Sequence, residues 1–315
     1  MLKAKPKRQG SALLSALFIM TLVAIAATAM STRLQLDIYR TRLTLTSDKL
    51  YLASQAVSFW AMSILSDKKK QFTLSDEQGK VLDFPSKLQR IYPDFITKGA
   101  LYDLQARFNL NNLTDKKYQP VFLKLLETAE TKLNPRQRVD ITTALLHWLS
   151  PYEPGRGKDE LTNYYLKQKP GYVQSQQLMQ KVSEFRLIRD VTARLYQTMQ
   201  KYITVLPEPT PINLNTASKP LLMSLGNGLT ETQVNKLLMT RGEKGILDIK
   251  NIGRILQKLN IRPEQVTIDS QYFMTVAIIL ADDLTLTNYT ILKRSKDKKG
   301  NLSVSIVSES LNSPD

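Results

Sequence analysis

The sequence predicts an α+β fold, with a long N-terminal helix packed on an antiparallel sheet and a large all-α insertion. Three observations predict it. A helical pattern continues from Ser11 to Leu65, with no Pro or Gly after Leu34. Alternating segments typical of strands follow this helix and return near the C-terminus. Helical segments lie between the two groups of strands, which favours an insertion in one sheet-containing domain.

The first thirty residues have the pattern of a membrane segment. A basic leader, residues 1–10, ends at Gly10 and precedes an uncharged apolar run from Ser11 to Met30. As a helix, a run of about 20 residues spans a hydrocarbon core of about 30 Å. Positive charges favour the cytoplasmic side, so the chain after Arg33 is expected on the other side, which in a bacterial cell is the periplasm.

Two interpretations of this segment are open. Ala27-Thr28-Ala29 fits cleavage of an ordinary secretory signal peptide before Met30. The leader also resembles the prepilin leader, in which a dedicated peptidase cleaves after a Gly and methylates the new N-terminus, here Ser11. An amphipathic helix that continues to Leu65 favours the second interpretation, since a secreted domain more often begins with a turn or strand. Its apolar positions recur at a spacing of three and four: Leu36, Tyr39, Leu43, Leu50, Ala53, Val57, Trp60 and Ile64.

Composition excludes several classes of site. The 315 residues include 42% hydrophobic and 23% charged residues, as in a globular protein, and allow two or three compact parts. Cys is absent and His147 is the single histidine, so disulfides, zinc clusters and His-based triads are excluded by count. The net charge of +16 is spread along the chain, which favours a solvated surface over a nucleic-acid groove.

The elements after the long helix follow from local patterns. Short strands are predicted at Gln71–Leu74, Lys80–Phe84 and Ala100–Leu110. Asn134-Pro135 is typical of a helix start, and Asn215 or Thr216 is predicted to cap a later helix. Helices are predicted at Tyr118–Leu133, Gln137–Leu149, Gln176–Glu184, Asp190–Tyr202, Lys219–Leu225, Glu231–Thr240 and Leu247–Leu259.

The C-terminal part returns to strands, which are expected to complete the first sheet. Val, Ile, Thr and Tyr are enriched at Tyr272–Ala281, Leu284–Leu292 and Asn301–Val307. The predicted organisation is a leader, a membrane-spanning half-helix, an amphipathic helix with the first strands, a helical insertion and C-terminal strands, at residues 1–10, 11–30, 31–112, 113–262 and 263–315.

Several separated segments resemble one family. The junction at Gly10, the segment Asp103–Leu113 (DLQARFNLNNL), Val182–Arg186 and Asn213–Ala217 (NLNTA) are together similar to the K-type minor pseudopilins of the bacterial type II secretion system. The resemblance implies a pilin-like α/β core with a sterile-alpha-motif-like helical insertion. It also implies a tip subunit without enzyme activity, which initiates or caps the pseudopilus with I-type and J-type minor pseudopilins.

The resemblance implies the environment and contacts of such a subunit. The chain is expected to be a single-pass protein of the inner membrane with its bulk in the periplasm, processed by the prepilin peptidase and able to meet the secretin or exoprotein substrates. Ser15 stands where filament pilins usually carry Glu, which suits a tip position because nothing ahead of it offers an amine to neutralise. The assembly helix is expected to bury one seam between its own sheet and partner helices, at Leu36, Leu43, Leu50, Val57 and Ile64.

Two further hypotheses concern ligands. Family members bind calcium near a Trp-Ile-Asp-x-Asp segment, but Ser150 and Tyr152 replace both aspartates here. Glu153, Asp159 and Glu160 remain as candidate ligands, and the replacement favours solvated loop charges instead. The turn Gly226-Asn227-Gly228 resembles the hairpin of helix-hairpin-helix proteins, so the alternative function is a membrane-anchored periplasmic DNA-binding protein. With the pseudopilin resemblance, no nucleic-acid partner is expected.

Overall fold

A computed structural model describes residues 10–68, 70–130, 132–151, 160–281 and 284–314. The chain divides into two compact units, Met1–Leu52 and Ala53–Asp315. The helices are α1 (Gly10–Ser66), α2 (Gln119–Ala129), α3 (Pro135–Leu149), α4 (Glu160–Leu166), α5 (Ala193–Met199), α6 (Lys219–Met223), α7 (Glu231–Arg241) and α8 (Gly253–Lys258). The strands are β1 (Lys80–Asp83), β2 (Ile96–Asp103), β3 (Phe108–Asn109), β4 (Ile203–Thr204), β5 (Ile212–Asn213), β6 (Val266–Thr267), β7 (Tyr272–Ala281), β8 (Leu284–Lys296) and β9 (Leu302–Leu311).

The main sheet has five antiparallel strands in the order β1-β2-β7-β8-β9. Its register pairs Ile96 with Leu280 and Asp103 with Phe273, so β2 and β7 are neighbours although the chain between them leaves the sheet. The C-terminal strands therefore complete the sheet that the first strands begin, as predicted. The other strands form two short parallel pairs, β3 with β4 and β5 with β6.

The C-terminal part of α1 packs on one face of this sheet. Small side chains at Ala53 and Ala61 and branched ones at Val57 and Leu65 are fully buried. Leu101, Phe273 and Leu292 supply the sheet side of this core, together with Phe72 from the loop that follows α1. Helical spacing of four places the buried residues of α1 on one stripe, and alanine at two positions allows the helix to approach closely.

A polar seam runs through the same helix–sheet contact. The Ser58 hydroxyl lies 3.1 Å from the Thr290 hydroxyl and 3.4 Å from that of Thr275. Asn288 Nδ2 donates to Ser54 Oγ at 2.8 Å. These hydrogen bonds help to fix the register of helix on sheet, although Asn288 Oδ1 is buried without a hydrogen-bond partner among the described residues.

The helical part has its own core. Its caps follow the sequence: Asn134 and Gln137 form a reciprocal capping box with Pro135 in the first turn of α3, and Thr230 and Gln233 do the same for α7. The largest buried side chains of this core include Phe108, Phe122, Phe185, Trp148 and Tyr165. The predicted α+β class is therefore confirmed.

Four local predictions are wrong. Ala100–Leu110 is not one strand, since β2 ends at Asp103 and a 3₁₀ turn, Leu104–Ala106, separates it from β3. Gln71–Leu74 is irregular, and its alternation reflects Phe72 packing into the core. Gln176–Glu184 has no α-helix; only a 3₁₀ segment, Val182–Leu187, forms there. Ser218 occupies the N-cap of α6 instead of Asn215 or Thr216, because those two side chains are used in buried contacts elsewhere. In each case a tertiary contact overrides the local pattern.

Candidate assembly surface

The N-terminal part of α1 is long and apolar enough to cross a membrane, and it is exposed along its whole length. Several hydroxyls in this part bond back to the helix. Ser15 Oγ donates to the Ser11 carbonyl at 2.9 Å, and Thr28 Oγ1 donates to that of Ala24 at 2.8 Å. An apolar helix that satisfies its own backbone groups is compatible with lipid. One N-terminal apolar helix thus fits a single-pass anchor.

The predicted seam residues do not share one environment. Leu50 and Val57 are buried and Ile64 is half-buried, whereas Leu36 and Leu43 are 50% and 37% exposed. Within Ala53–Asp315, the stripe against the sheet runs through Ala53, Val57, Ala61 and Leu65. The predicted seam, with its spacing of seven, left out Ala53 and Ala61, although Ala53 was among the recurring apolar positions of the helix. That the five predicted positions contact partner helices stays a prediction.

Ser15 is exposed on α1, and its hydroxyl is used within the helix. It offers no charge to a neighbouring terminus. Gly10 is the first residue of α1, directly before Ser11. The leader before it, residues 1–9, lies outside the described residues. Cleavage after Gly10, methylation of Ser11 and the tip role of Ser15 therefore remain predictions.

The candidate calcium ligands fall mostly outside the described residues, since Tyr152, Glu153 and Asp159 lie in the gap between residues 151 and 160. Glu160 begins α4, and its carboxylate accepts a hydrogen bond from Arg189 Nη1 at 3.0 Å. Ser150 Oγ donates to the Leu146 carbonyl at the end of α3. Within the described ranges, no group of three or more His, Asp or Glu side chains could hold a metal ion.

The Gly226-Asn227-Gly228 turn is packed against the rest of the chain. Both glycines have positive φ angles, +60° and +91°. The carbonyl oxygen of Leu259 lies 2.4 Å from where a Cβ at Gly226 would stand, and the aliphatic end of Lys124 covers Gly228. A phosphate cradle needs open backbone donors, but the Gly228 N–H already donates to the Leu225 carbonyl at 3.0 Å. The geometry gives the DNA-binding alternative no support.

The family-like motif DLQARFNLNNL places its polar side chains in the interior, where they join distant segments. Asn111 Nδ2 donates to the carbonyls of Met179 and Leu206 at 2.9 and 2.8 Å, and its Oδ1 accepts from Met179 N at 2.9 Å. Asn112 exchanges two hydrogen bonds with the backbone of Thr210, at 2.7 and 2.8 Å. Where irregular segments cross, these side-chain amides make the hydrogen bonds that backbone pairing would otherwise make. The motif therefore connects distant segments, and we call Asn111 and Asn112 the asparagine joint.

A buried carboxylate, Asp103 at the end of β2, connects three segments. Its Oδ2 accepts hydrogen bonds from Thr216 Oγ1, Ser270 Oγ and Asn213 Nδ2 at 2.6, 2.7 and 2.9 Å. Its Oδ1 accepts from Gln105 N at 2.8 Å. Burial raises the pKa of Asp103 above its ordinary value, although the four hydrogen bonds act in the opposite direction. We call these five residues the Asp103 cluster. It joins the two family-like motifs, Asp103–Leu113 and Asn213–Ala217.

The sequence alone did not reveal these roles. Two polar residues that lie two positions apart, with leucine between or beside them, usually predict a turn when the first is asparagine or aspartate. The available signal was the repeated Asn-Leu-Asn pattern in both motifs, which places amides between buried leucines. His147, the single histidine, has its Nδ1 3.0 Å from Gln174 Nε2.

Comparison with known proteins places the chain in a family. A family model described as type II secretion system (T2SS), protein K, matches residues 106–208 and contains the asparagine joint. A second model of the same description matches residues 212–272, and the two together cover just over half of the chain. The chain belongs to the type II secretion system protein K family. The Asp103 cluster connects the two matched regions: Asp103 lies just before the first, and its partners Asn213, Thr216 and Ser270 lie in the second.

Individual relatives agree with this assignment. Type II secretion system protein K of Aeromonas hydrophila is 27% identical, over 93% of this chain and 95% of that protein. The protein of the same name from Pseudomonas aeruginosa is 26% identical, over 62% of this chain; the match spans 60% of the P. aeruginosa protein. The crystal structure of the GspK-GspI-GspJ complex from the enterotoxigenic Escherichia coli type 2 secretion system contains a chain with the same fold. It is 21% identical, with a TM-score of 0.68, and the match covers 87% of this chain and 99% of that one.

Proposed function

We propose that the chain is a non-enzymatic minor pseudopilin at the tip of the type II secretion pseudopilus, where it initiates or caps assembly for the export of folded proteins. The observation that carries the proposal is α1, in a chain of the protein K family. One helix of 57 residues is exposed and apolar in its first part and packs on the sheet in its last part. A subunit that inserts in a membrane and then joins a helical bundle needs such a helix.

The proposed processing and topology follow from the same helix. The prepilin peptidase cleaves after Gly10, Ser11 becomes the methylated N-terminus, and residues 11–30 anchor the chain in the inner membrane. The bulk of the chain lies in the periplasm, with residues 113–262 as an insertion between strands that begin and complete the sheet. The proposed partners are the I-type and J-type minor pseudopilins, in keeping with the complex that contains the structural relative.

The mature N-terminus tests processing. Intact mass and N-terminal sequencing of membrane-extracted protein are expected to show a methylated Ser11, and Gly10→Ala is expected to keep the leader. Ala29→Leu is the matched control, because it changes the alternative signal-peptide site and leaves Gly10 in place. A chain that begins at Met30, or normal processing of Gly10→Ala, would reject the proposal.

Co-purification tests the proposed partners. The processed chain, co-expressed with I-type and J-type minor pseudopilins and extracted in detergent, is expected to elute with both. Elution of the processed chain alone, in conditions where the other two associate, would contradict the tip role.

A further inference from the structure

The sheet face opposite α1 borders a groove of about 780 Å³ that lies within the second unit. Its floor contains Met274, Tyr289 and Ile291 of the sheet, and Leu178 and Val182 form the facing wall. Arg107 also lines it. Cavities of this size hold several side chains and are commonly apolar with a few polar groups that orient the ligand. The groove therefore has the dimensions of a binding site.

Arg107 gives this groove a positive charge that has no direct ion pair among the described residues. Its Nη2 donates to the Gln78 carbonyl at 3.1 Å, and its Nε is buried without a hydrogen-bond partner among the described residues. No described carboxylate forms an ion pair with it. Asp103 is engaged by the four donors of its own cluster, and Asp76 Oδ1 accepts from the backbone N–H groups of Gln78 and Lys80.

Asp76 and Asp103 attract the Arg107 charge without forming an ion pair with it, so an anion that enters the groove gains the direct contact that no described carboxylate makes. Burial also lowers the pKa of Arg107, but an arginine remains charged at neutral pH. Of the other charged side chains along the groove, Lys181 adds a second positive charge. The carboxylate of Glu309 accepts from Gln55 and Asn288, on the α1 side of the sheet.

The shape of the neighbouring edge strand restricts how a ligand can lie. β9 pairs with β8 alone among the described strands, and the register shifts between Ile291 and Leu292. Ser308 pairs with Ile291 and Ile306 with Leu292, so Val307 is an extra residue, as in a bulge. Bulges on edge strands discourage the addition of another strand. A ligand is therefore held by side-chain contacts in the groove, which Val307 also lines.

We propose that this groove binds an extended segment of a partner protein, in which a carboxylate side chain pairs with Arg107 and flanking apolar side chains fill the space over Met274 and Ile291. The inference goes beyond the proposed function, since it needs neither leader cleavage nor assembly through α1. A chain that binds the segment but fails to join the I-type and J-type subunits would contradict only the proposed function.

The test uses the full chain in detergent and a fluorescein-labelled peptide of alternating leucine and aspartate. Fluorescence anisotropy is expected to show saturable binding that weakens as salt is raised. The same peptide with asparagine or lysine in place of aspartate is expected to bind at least about tenfold more weakly, because a charge-assisted hydrogen bond contributes about 1.5–3 kcal/mol. Equal binding of the three peptides, or no binding of the aspartate peptide, would overturn the inference.

Variants locate the binding. Arg107→Gln is expected to weaken binding of the aspartate peptide about tenfold or more, while Arg136→Gln, a control at an arginine that is 91% exposed on α3, leaves it unchanged. Leu178→Glu tests the groove without changing Arg107. Its carboxylate at the margin is expected to repel the probe, whereas Leu187→Glu, at a similarly exposed leucine that does not line the groove, is expected to have no effect. Unchanged binding by Arg107→Gln or by Leu178→Glu would overturn the assignment.

Discussion

At the scale of single residues, one buried carboxylate and several buried amides connect distant segments of this chain. Asp103 accepts four hydrogen bonds from Gln105, Asn213, Thr216 and Ser270, and so connects the end of β2 with β5 and with the segment before β7. A buried carboxylate is stable in such a place because donors replace its hydration. The cluster fixes where the helical part leaves and re-enters the sheet.

The raised pKa of Asp103 predicts a pH dependence. Its ordinary value is 3.8, and burial raises it in the folded state. The folded chain therefore binds the proton more tightly than the unfolded chain, and this contribution to stability is lost as pH rises through the raised pKa. The free energy of unfolding of wild type, relative to Asp103→Asn, is expected to fall as pH rises from about 4 and then to level off.

Urea unfolding of the full chain in detergent, followed by tryptophan fluorescence, measures this difference. Asp140→Asn is the control, because Asp140 lies at the surface of α3, 4.0 Å from an exposed arginine, and its removal is expected to change stability by less than about 0.5 kcal/mol. A relative stability that increases with pH would show that the pKa of Asp103 is lowered on folding.

At the scale of elements, helix α3 begins at a reciprocal capping box. Asn134 accepts from the backbone of Gln137 at 2.9 Å, and the Gln137 side chain accepts from the backbone of Asn134 at 3.0 Å. Asn134→Ala is expected to lower the free energy of unfolding by about 1 kcal/mol, because one helix-end N–H loses its acceptor.

Ser218, the N-cap of α6, is the matched control because its side chain makes no capping bond. Ser218→Ala is expected to change stability by less than about 0.5 kcal/mol. Denaturant midpoints of the two variants test the prediction, and equal losses would mean that the box in α3 contributes nothing.

The contact of α1 with the sheet depends on Gly99 in β2. A Cβ at this position would lie 2.6 Å from Val57 Cγ1 and 3.0 Å from its Cγ2. Gly99→Ala is expected to destabilise the chain by about 1–3 kcal/mol, because the helix must move away from the sheet. Thermal unfolding in detergent measures the loss.

Two further variants separate steric overlap from a general effect of alanine. Gly99→Ala combined with Val57→Ala is expected to be less destabilised than the sum of the single variants, since the second change removes the overlap. Gly253→Ala meets no atom within 4 Å and is expected to be neutral or slightly stabilising. Additive losses in the double variant would contradict the close-approach explanation.

At the scale of the whole molecule, the exposed part of α1 is the surface on which the proposed assembly depends. Leu43→Glu changes an exposed apolar residue and is expected to leave unfolding of the Ala53–Asp315 unit unchanged within about 0.5 kcal/mol. It is expected to abolish co-purification with I-type and J-type subunits, since a buried unpaired carboxylate is costly.

Thr41→Glu, at an exposed polar position of the same helix, is the control and is expected to preserve the complex. Normal co-purification of Leu43→Glu would remove Leu43 from the assembly surface. A loss of folding in Leu43→Glu would instead show that this residue stabilises the isolated chain.

The sequence was enough to predict the long helix, the three C-terminal strands and the helix starts at Asn134 and Glu231. These features depend on periodicity and on contacts within a few residues, which are present in any local window. Membership of the family was also predictable, because Asp103–Leu113 and Asn213–Ala217 are contiguous motifs.

The tertiary structure alone decided what those motifs do and which surface remains open. The asparagines bond to segments about 70 to 100 positions away, as Asn111 does with Met179 and Leu206, and no local pattern encodes such a partner. The buried alanine stripe of α1, the closed turn at Gly226 and the lack of a direct ion pair at Arg107 among the described residues likewise depend on what packs against them. Burial is a property of the folded chain, so it distinguishes between interpretations that the residue types alone cannot distinguish.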